Sequence, residues 1–176
     1  MTDSRDKRKK QTGEVFTPPK LVRQMLSKLP KEIWKKGKTF CDPACGNGNF
    51  IVAVLLRKIE HGHTPFDALK TLYGVDIMRD NVQECRLRLL KVLQLFGCTI
   101  GEEHIKIVFQ NIVWININKY DGGSINYDFS FKSKANINDV KRWMEWINEK
   151  NVLANIELPI QEENFNPNGM DSLFDD

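Results

Sequence analysis

The stretch Cys41–Phe50, CDPACGNGNF, decides how the rest of the chain is read. It joins KTFCD, which reads as a short buried strand, to NFIVAVLLRKIEHG, which reads as an apolar helix, and between them it places an acid, a proline and two glycines. A buried strand that ends in a carboxylate and turns through glycines into a helix is built to hold a ligand. The carboxyl ends of parallel strands open onto a crevice, and helix N-termini present unpaired N–H groups there. Gly46 and Gly48 let the backbone come close to a ligand in conformations that a side chain would forbid.

Two familiar ligand loops do not fit. No Lys-Ser or Lys-Thr follows the glycines, which excludes the phosphate loop of ATPases. Phe50 stands where a dinucleotide fingerprint needs a later glycine, and the Asp42 carboxylate would repel a pyrophosphate. Asp42 welcomes a cation instead, such as the ammonium of an amino acid. YGVDI reads as the second strand, which ends in Asp76. A carboxylate just past a strand end suits a ribose diol, because it accepts hydrogen bonds from both hydroxyls. One acid for an ammonium and one for a ribose describe S-adenosylmethionine better than NAD. Each acid also has a plainer role open to it: Asp42 capping its own turn, Asp76 capping the helix that follows.

Outward from this turn the chain alternates. Upstream, GEVFTPPKLVRQMLSKL begins as a loop and continues as a helix with Leu21, Val22, Met25, Leu26 and Leu29 at helical spacing; Pro19 suits its first turn and Thr17 its cap. Downstream, PFDALKTL reads as a short helix. RDNVQECRLRLLKVLQLFG reads as a long one, with Val82, Cys85, Leu89, Val92, Leu93 and Phe96 turned inward, and IKIVFQNI reads as a third strand. Strands and helices alternating from about residue 38 to 113 predict an α/β fold, a parallel sheet with helices on both faces. Beyond that point come one candidate strand, Tyr127–Phe131, and the amphipathic helix INDVKRWMEWINEK, with Ile137, Val140, Met144 and Ile147 on one face and Trp143 and Trp146 beside it. The domain plan is a basic arm over residues 1–12, a body over 13–150 and an acidic tail over 151–176.

These residues carry a family likeness. DPACGNGNF closely resembles the first cofactor motif of N6-adenine DNA methyltransferases, notably the modification subunits of restriction systems. GEVFTPPKLVRQML resembles the family's N-terminal cofactor motif and YGVDI its second. Together they cover about residues 13 to 80, in the family's order. The resemblance implies a Rossmann-like methyltransferase fold, with a shortened sheet, that binds S-adenosylmethionine. Asp42, Ala44, Gly46 and Gly48 would wrap the methionine part, and Phe16, Thr17 and Pro18 would close over it. Asp76 and Ile77 would hold the ribose and adenine side. FQNI occupies the place of a third motif, so Asn111 would face the adenine ring.

The likeness stops at the catalytic motif. In the family an Asn/Asp-Pro-Pro-Tyr/Phe loop accepts hydrogen bonds from the target amine and stacks on the flipped base. The sequence contains no such tetrapeptide: YDFSF is followed by KSKAN, and the only Asn-Pro pair lies in NFNPNG, at residues 164–169, and reads as a turn. Little room follows residue 113 for the family's later strands or a target-recognition domain. The chain therefore reads as a truncated family member, the cofactor half followed by something else. Two functions stay open: an adenine-directed methyltransferase that needs a partner chain for its catalytic and target-recognition parts, or an inactive relative that binds DNA or protein.

Charge is unevenly spread. Residues 1–38 hold 12 Lys and Arg against 4 Asp and Glu, whereas residues 149–176 hold 1 against 7. A basic front end suits DNA, and equally a solvated arm. The terminal GMDSLFDD sets Met170, Leu173 and Phe174 among acids, which resembles a sliding-clamp-binding peptide and also fits a solubilising tail. No apolar run reaches membrane-spanning length, and no apolar stretch follows the basic start as in a secretory signal. The four cysteines lack CxxC spacing. They read as free thiols of a cytoplasmic protein, with no metal, although Cys41, Cys45 and His61 or His63 supply zinc-type donors.

Overall fold

Three short parallel strands organise the described residues, which in this computed structural model are 14–115 and 135–160. In chain order the elements are α1 (Pro19–Ser27), β1 (Phe40–Asp42), α2 (Asn49–Glu60), α3 (Pro65–Lys70), β2 (Leu72–Asp76), α4 (Arg79–Leu95), α5 (Glu102–Asn111), β3 (Ile112–Trp114) and α6 (Ile137–Lys150). The sheet order is β1-β2-β3, with Asp42 paired to Gly74 and Asp76 to Trp114. Because successive strands step in one direction, right-handed crossovers set α2 and α4 on the same face, and there they pack on each other. This is a shortened Rossmann-like α/β fold.

α2 is apolar nearly all round, and Ile51 through Leu56 are buried without interruption. A helix of that kind must lie inside, between other elements. It packs on the sheet, on α4 and on α1, whose Val22 and Leu26 are fully buried one turn apart. Gly62, at φ 82°, follows the helix end as a left-handed stop. Gly74 faces this side of the sheet, and a Cβ on it would stand 2.5 Å from Ile51 Cδ1. Alternation then turns Tyr73, Val75 and Val113 to the opposite face, where all three are buried, so that face is covered as well.

One expected strand is a helix. Ile105–Ile112 reads as a strand, but Glu102–Asn111 forms α5 and only Ile112–Trp114 forms β3. His104, Ile105, Val108 and Asn111 are the buried positions, a three-to-four residue repeat, and Glu102 and Glu103 occupy the first turn, where the helix dipole favours acids. Thr17 does not cap α1: Pro18 holds the cap position without a side-chain bond. On α6, Val140 and Ile147 are buried but Ile137 is exposed. Trp143 packs edge-on against Phe109 at 4.9 Å. Leu153 and Leu158 are buried in the core, so residues 151–160 belong with the body and not with an acidic tail. The candidate strand Tyr127–Phe131, the pair in NFNPNG and the Met170, Leu173, Phe174 peptide lie outside the described residues.

A lysine closes the far end of the sheet. Lys58 on α2 is fully buried, and its Nζ donates to the Lys38 carbonyl at 2.6 Å and to Thr71 Oγ1 at 2.7 Å. It thereby ties together the chain entering β1 and the chain entering β2. Burial pushes its amine down from the ordinary 10.5 to about 8. Between these values the unfolded chain binds more protons than the folded one, so stability rises with pH there. The cost of burying the charge is present in full below pH 8 and fades as pH climbs towards 10.5. Lys58→Met abolishes this dependence. In urea unfolding, its stability relative to the parent should fall between pH 7 and pH 10; a constant difference contradicts the charged, buried amine.

Candidate functional site

The carboxyl ends of β1, β2 and β3 carry Asp42, Asp76 and Trp114 side by side. The turn after β1 rises from Asp42, whose Oδ1 accepts from Ala44 N at 3.1 Å. Cys45 N donates to the Val75 carbonyl at 2.9 Å, which anchors the turn to β2. Gly46 (φ 52°) and Gly48 (φ 92°) both lie in the left-handed region that favours glycine. At Gly48 the demand is doubled, because a Cβ there would meet Cys85 Sγ at 2.6 Å.

Asp76 is the hinge of the site. Its Oδ2 accepts from Gly46 N at 2.9 Å, and its Oδ1 accepts from Met78 N at 2.7 Å and from Asn81 Nδ2 at 3.4 Å. The acid of the second strand thus holds the glycine turn of the first. Asp42 and Asp76 therefore do satisfy backbone groups of their own turns, as the plainer readings have it. Each carboxylate still has acceptor capacity left, since an ionised carboxylate offers about four lone-pair sites. Burial pushes the Asp42 carboxyl up from its ordinary value, and the nearby Asp76 charge adds to this. Two neighbouring acids make a place where a bound positive group is stabilised.

Behind the turn, α4 supplies a polar clamp. Arg88 Nη1 donates to Asn49 Oδ1 at 2.8 Å and to the Asn47 carbonyl at 3.3 Å, while Nη2 pairs with Glu84 at 2.7 Å. Asn47 Nδ2 closes the ring by donating to the same Glu84 Oε1 at 3.2 Å. In front, the N-terminal motif lies over the turn. A Cβ on Gly46 would stand 3.0 Å from the Phe16 ring, and Asn49 Nδ2 donates to the Thr17 carbonyl at 3.0 Å. Phe16, Thr17, Pro18, Asp42, Ala44, Gly46, Gly48, Asp76 and Ile77 are therefore gathered at one end of the sheet.

Asn111 is not among them. It ends α5, is buried, and donates to the Lys70 carbonyl at 3.2 Å, just before β2 begins. That is the opposite end of the strands from Asp42 and Asp76. The expectation that Asn111 faces an adenine ring fails because it enters β3 and does not leave it. The residue that leaves β3 is Trp114. Its indole N–H donates to the Ile77 carbonyl at 2.8 Å, and Arg79 lies 5.7 Å above its ring. Trp114 and Ile77 are 55% and 52% exposed, an open apolar pair beside Asp76. Taking residues 105–112 for the strand hides this role, because the true strand then appears to end two residues too early.

The donor set fits S-adenosylmethionine. Asp42 and Asp76 are acceptors of the kind an ammonium and a ribose would need, and Ile77 and Trp114 are an apolar pair of the kind a purine would need. Two amide oxygens at the site, Asn47 Oδ1 and Asn81 Oδ1, are buried without a hydrogen-bond partner. A family model described as N-6 DNA Methylase matches residues 1–154. Among curated proteins, the chain is similar to the type II methyltransferase M.VspI of Vibrio sp. (strain 343), with 31% identity over 98 residues. That segment is 56% of this chain and 20% of the relative, so the match spans a fifth of the relative's length. No solved structure is significantly similar.

Proposed function

Because the chain belongs to the N-6 DNA methylase family, we propose that it binds S-adenosylmethionine in the crevice at the carboxyl ends of β1, β2 and β3. The observation that carries this reading is the bond from Gly46 N to Asp76 Oδ2, which joins the glycine turn and the second-strand acid into one cradle. Asp42, Ala44, Gly46 and Gly48 enclose the methionine part, with the Asp42 carboxylate facing the ammonium. Asp76 accepts from the ribose, and Ile77 and Trp114 flank the adenine. Phe16, Thr17 and Pro18 cover the turn and exclude water from it. When bound, the cofactor supplies an electrophilic methyl group.

Transfer to adenine N6 needs a second set of groups, which hold the amine and stack the extruded base. The Asn/Asp-Pro-Pro-Tyr/Phe tetrapeptide that does this in the family does not occur in the 176 residues. The isolated chain is therefore a cofactor-binding part whose methyl transfer to DNA depends on groups supplied by another polypeptide segment. The exposed cations Lys20, Lys28, Lys31, Lys35, Lys36 and Lys38 give it a basic flank for DNA. Without a completing segment the same surface makes it a DNA- or partner-binding module. Tritium transfer from labelled cofactor to adenine-rich duplex DNA tests this division. The isolated chain should give no transfer above background, and robust transfer overturns the assignment of the missing step.

A further inference from the structure

We propose that Glu14 is a second ribose-binding carboxylate, working with Asp76 on the two hydroxyls of the cofactor; this rests on the cofactor reading above. Glu14 precedes the Phe16-Thr17-Pro18 segment and lies far from Asp76 in sequence. Yet both acids meet on one amide. Asn81 Nδ2, in the first turn of α4, donates to Glu14 Oε1 at 2.6 Å and to Asp76 Oδ1 at 3.4 Å. The two carboxylates thus stand no farther apart than those two legs allow.

Two carboxylates and one amide make up the arrangement. Ionised carboxylates only accept, so the Asn81 nitrogen must face both of them, and its two protons are then committed. Its oxygen is left over. Asn81 is 1% exposed, and Oδ1 is buried with no hydrogen-bond partner. A buried acceptor of this kind is costly unless a donor arrives. Asp76 alone is a crowded partner for two hydroxyls, because three protein N–H groups already bind it. A vicinal diol, with two O–H donors on adjacent carbons, matches a pair of carboxylates spaced by one amide. Glu14 also places the N-terminal segment in the ligand's binding energy, which couples closure of Phe16 over the turn to recognition of the ribose.

Calorimetric titration of the full chain with S-adenosylhomocysteine and its 2′-deoxy and 3′-deoxy forms tests the assignment. Glu14→Ala should weaken the parent ligand about tenfold. It should have no effect on one of the two deoxy forms, because that form lacks the hydroxyl Glu14 holds. Glu14→Gln, which keeps the contact to Asn81, should fall between. Equal weakening of all three ligands marks Glu14 as a strut only and overturns the proposal, as does no weakening of any. The unaltered chain gives a check free of any substitution: both deoxy forms must bind more weakly than the parent, and equal binding of either overturns it. If the parent ligand gives no saturable heat with the unaltered chain, the cofactor reading itself has failed. Tight parent binding that is indifferent to Glu14 removes this assignment alone.

Discussion

Asp76→Ala should lower the affinity for S-adenosylmethionine by at least about a hundredfold and destabilise the fold by about 2–4 kcal/mol. Both effects come from the same carboxylate. In the folded chain it accepts from Gly46 N, Met78 N and Asn81 Nδ2. Truncation leaves these donors in a partly buried place, at a cost of about 1–3 kcal/mol for each one that water cannot reach. It also frees the glycine turn from β2, so the cradle loses its shape along with its ribose acceptor. Asp76→Asn separates the two. Its amide keeps one oxygen to accept with, but turns an N–H toward Gly46 N or Met78 N, so part of the stability returns and the affinity does not. Urea unfolding and calorimetry read the two effects independently. An Asp76→Ala chain that binds the cofactor as the parent does contradicts the site.

Gly48→Ala should cost about 3 kcal/mol or more, as the sum of a backbone part and a packing part. The backbone part arises because φ is 92°, where a Cβ is strained whatever the space around it. The packing part arises because that Cβ would stand 2.6 Å from Cys85 Sγ, 3.1 Å from Cys85 Cβ and 3.3 Å from Cys85 Cα. Removing the sulfur with Cys85→Ala relieves only the first contact. The double variant should therefore be more stable than the sum of the two single losses requires, yet still less stable than Cys85→Ala alone. Strict additivity in the double-mutant cycle contradicts a close approach of α4 to the turn.

The parts of this molecule that were legible in the sequence are those in which chemistry and local geometry coincide. Gly46 and Gly48 flag positive φ, Asp42 and Asp76 end their strands, and the unbroken aliphatic run of α2 must be interior. The third strand was not legible, because a short, largely aliphatic run such as IKIVF satisfies strand and buried helix alike. His104 and Glu102 carry the helical signal, and they lie at the edge of that run. Asn111 was misplaced with it, and Trp114 was missed. Lys58 and Arg88 look like ordinary surface cations in the sequence. Only the fold shows that Lys58 is spent on the Lys38 carbonyl and that Arg88 reaches Asn49 and the Asn47 carbonyl, groups that no sequence spacing brings near them.

The most direct test of the account is calorimetric titration of the unaltered chain with S-adenosylmethionine. One cofactor per chain should bind with saturable heat and a Kd of about micromolar order. No saturable heat up to about millimolar cofactor, where even a binding free energy near 4 kcal/mol would register, contradicts it.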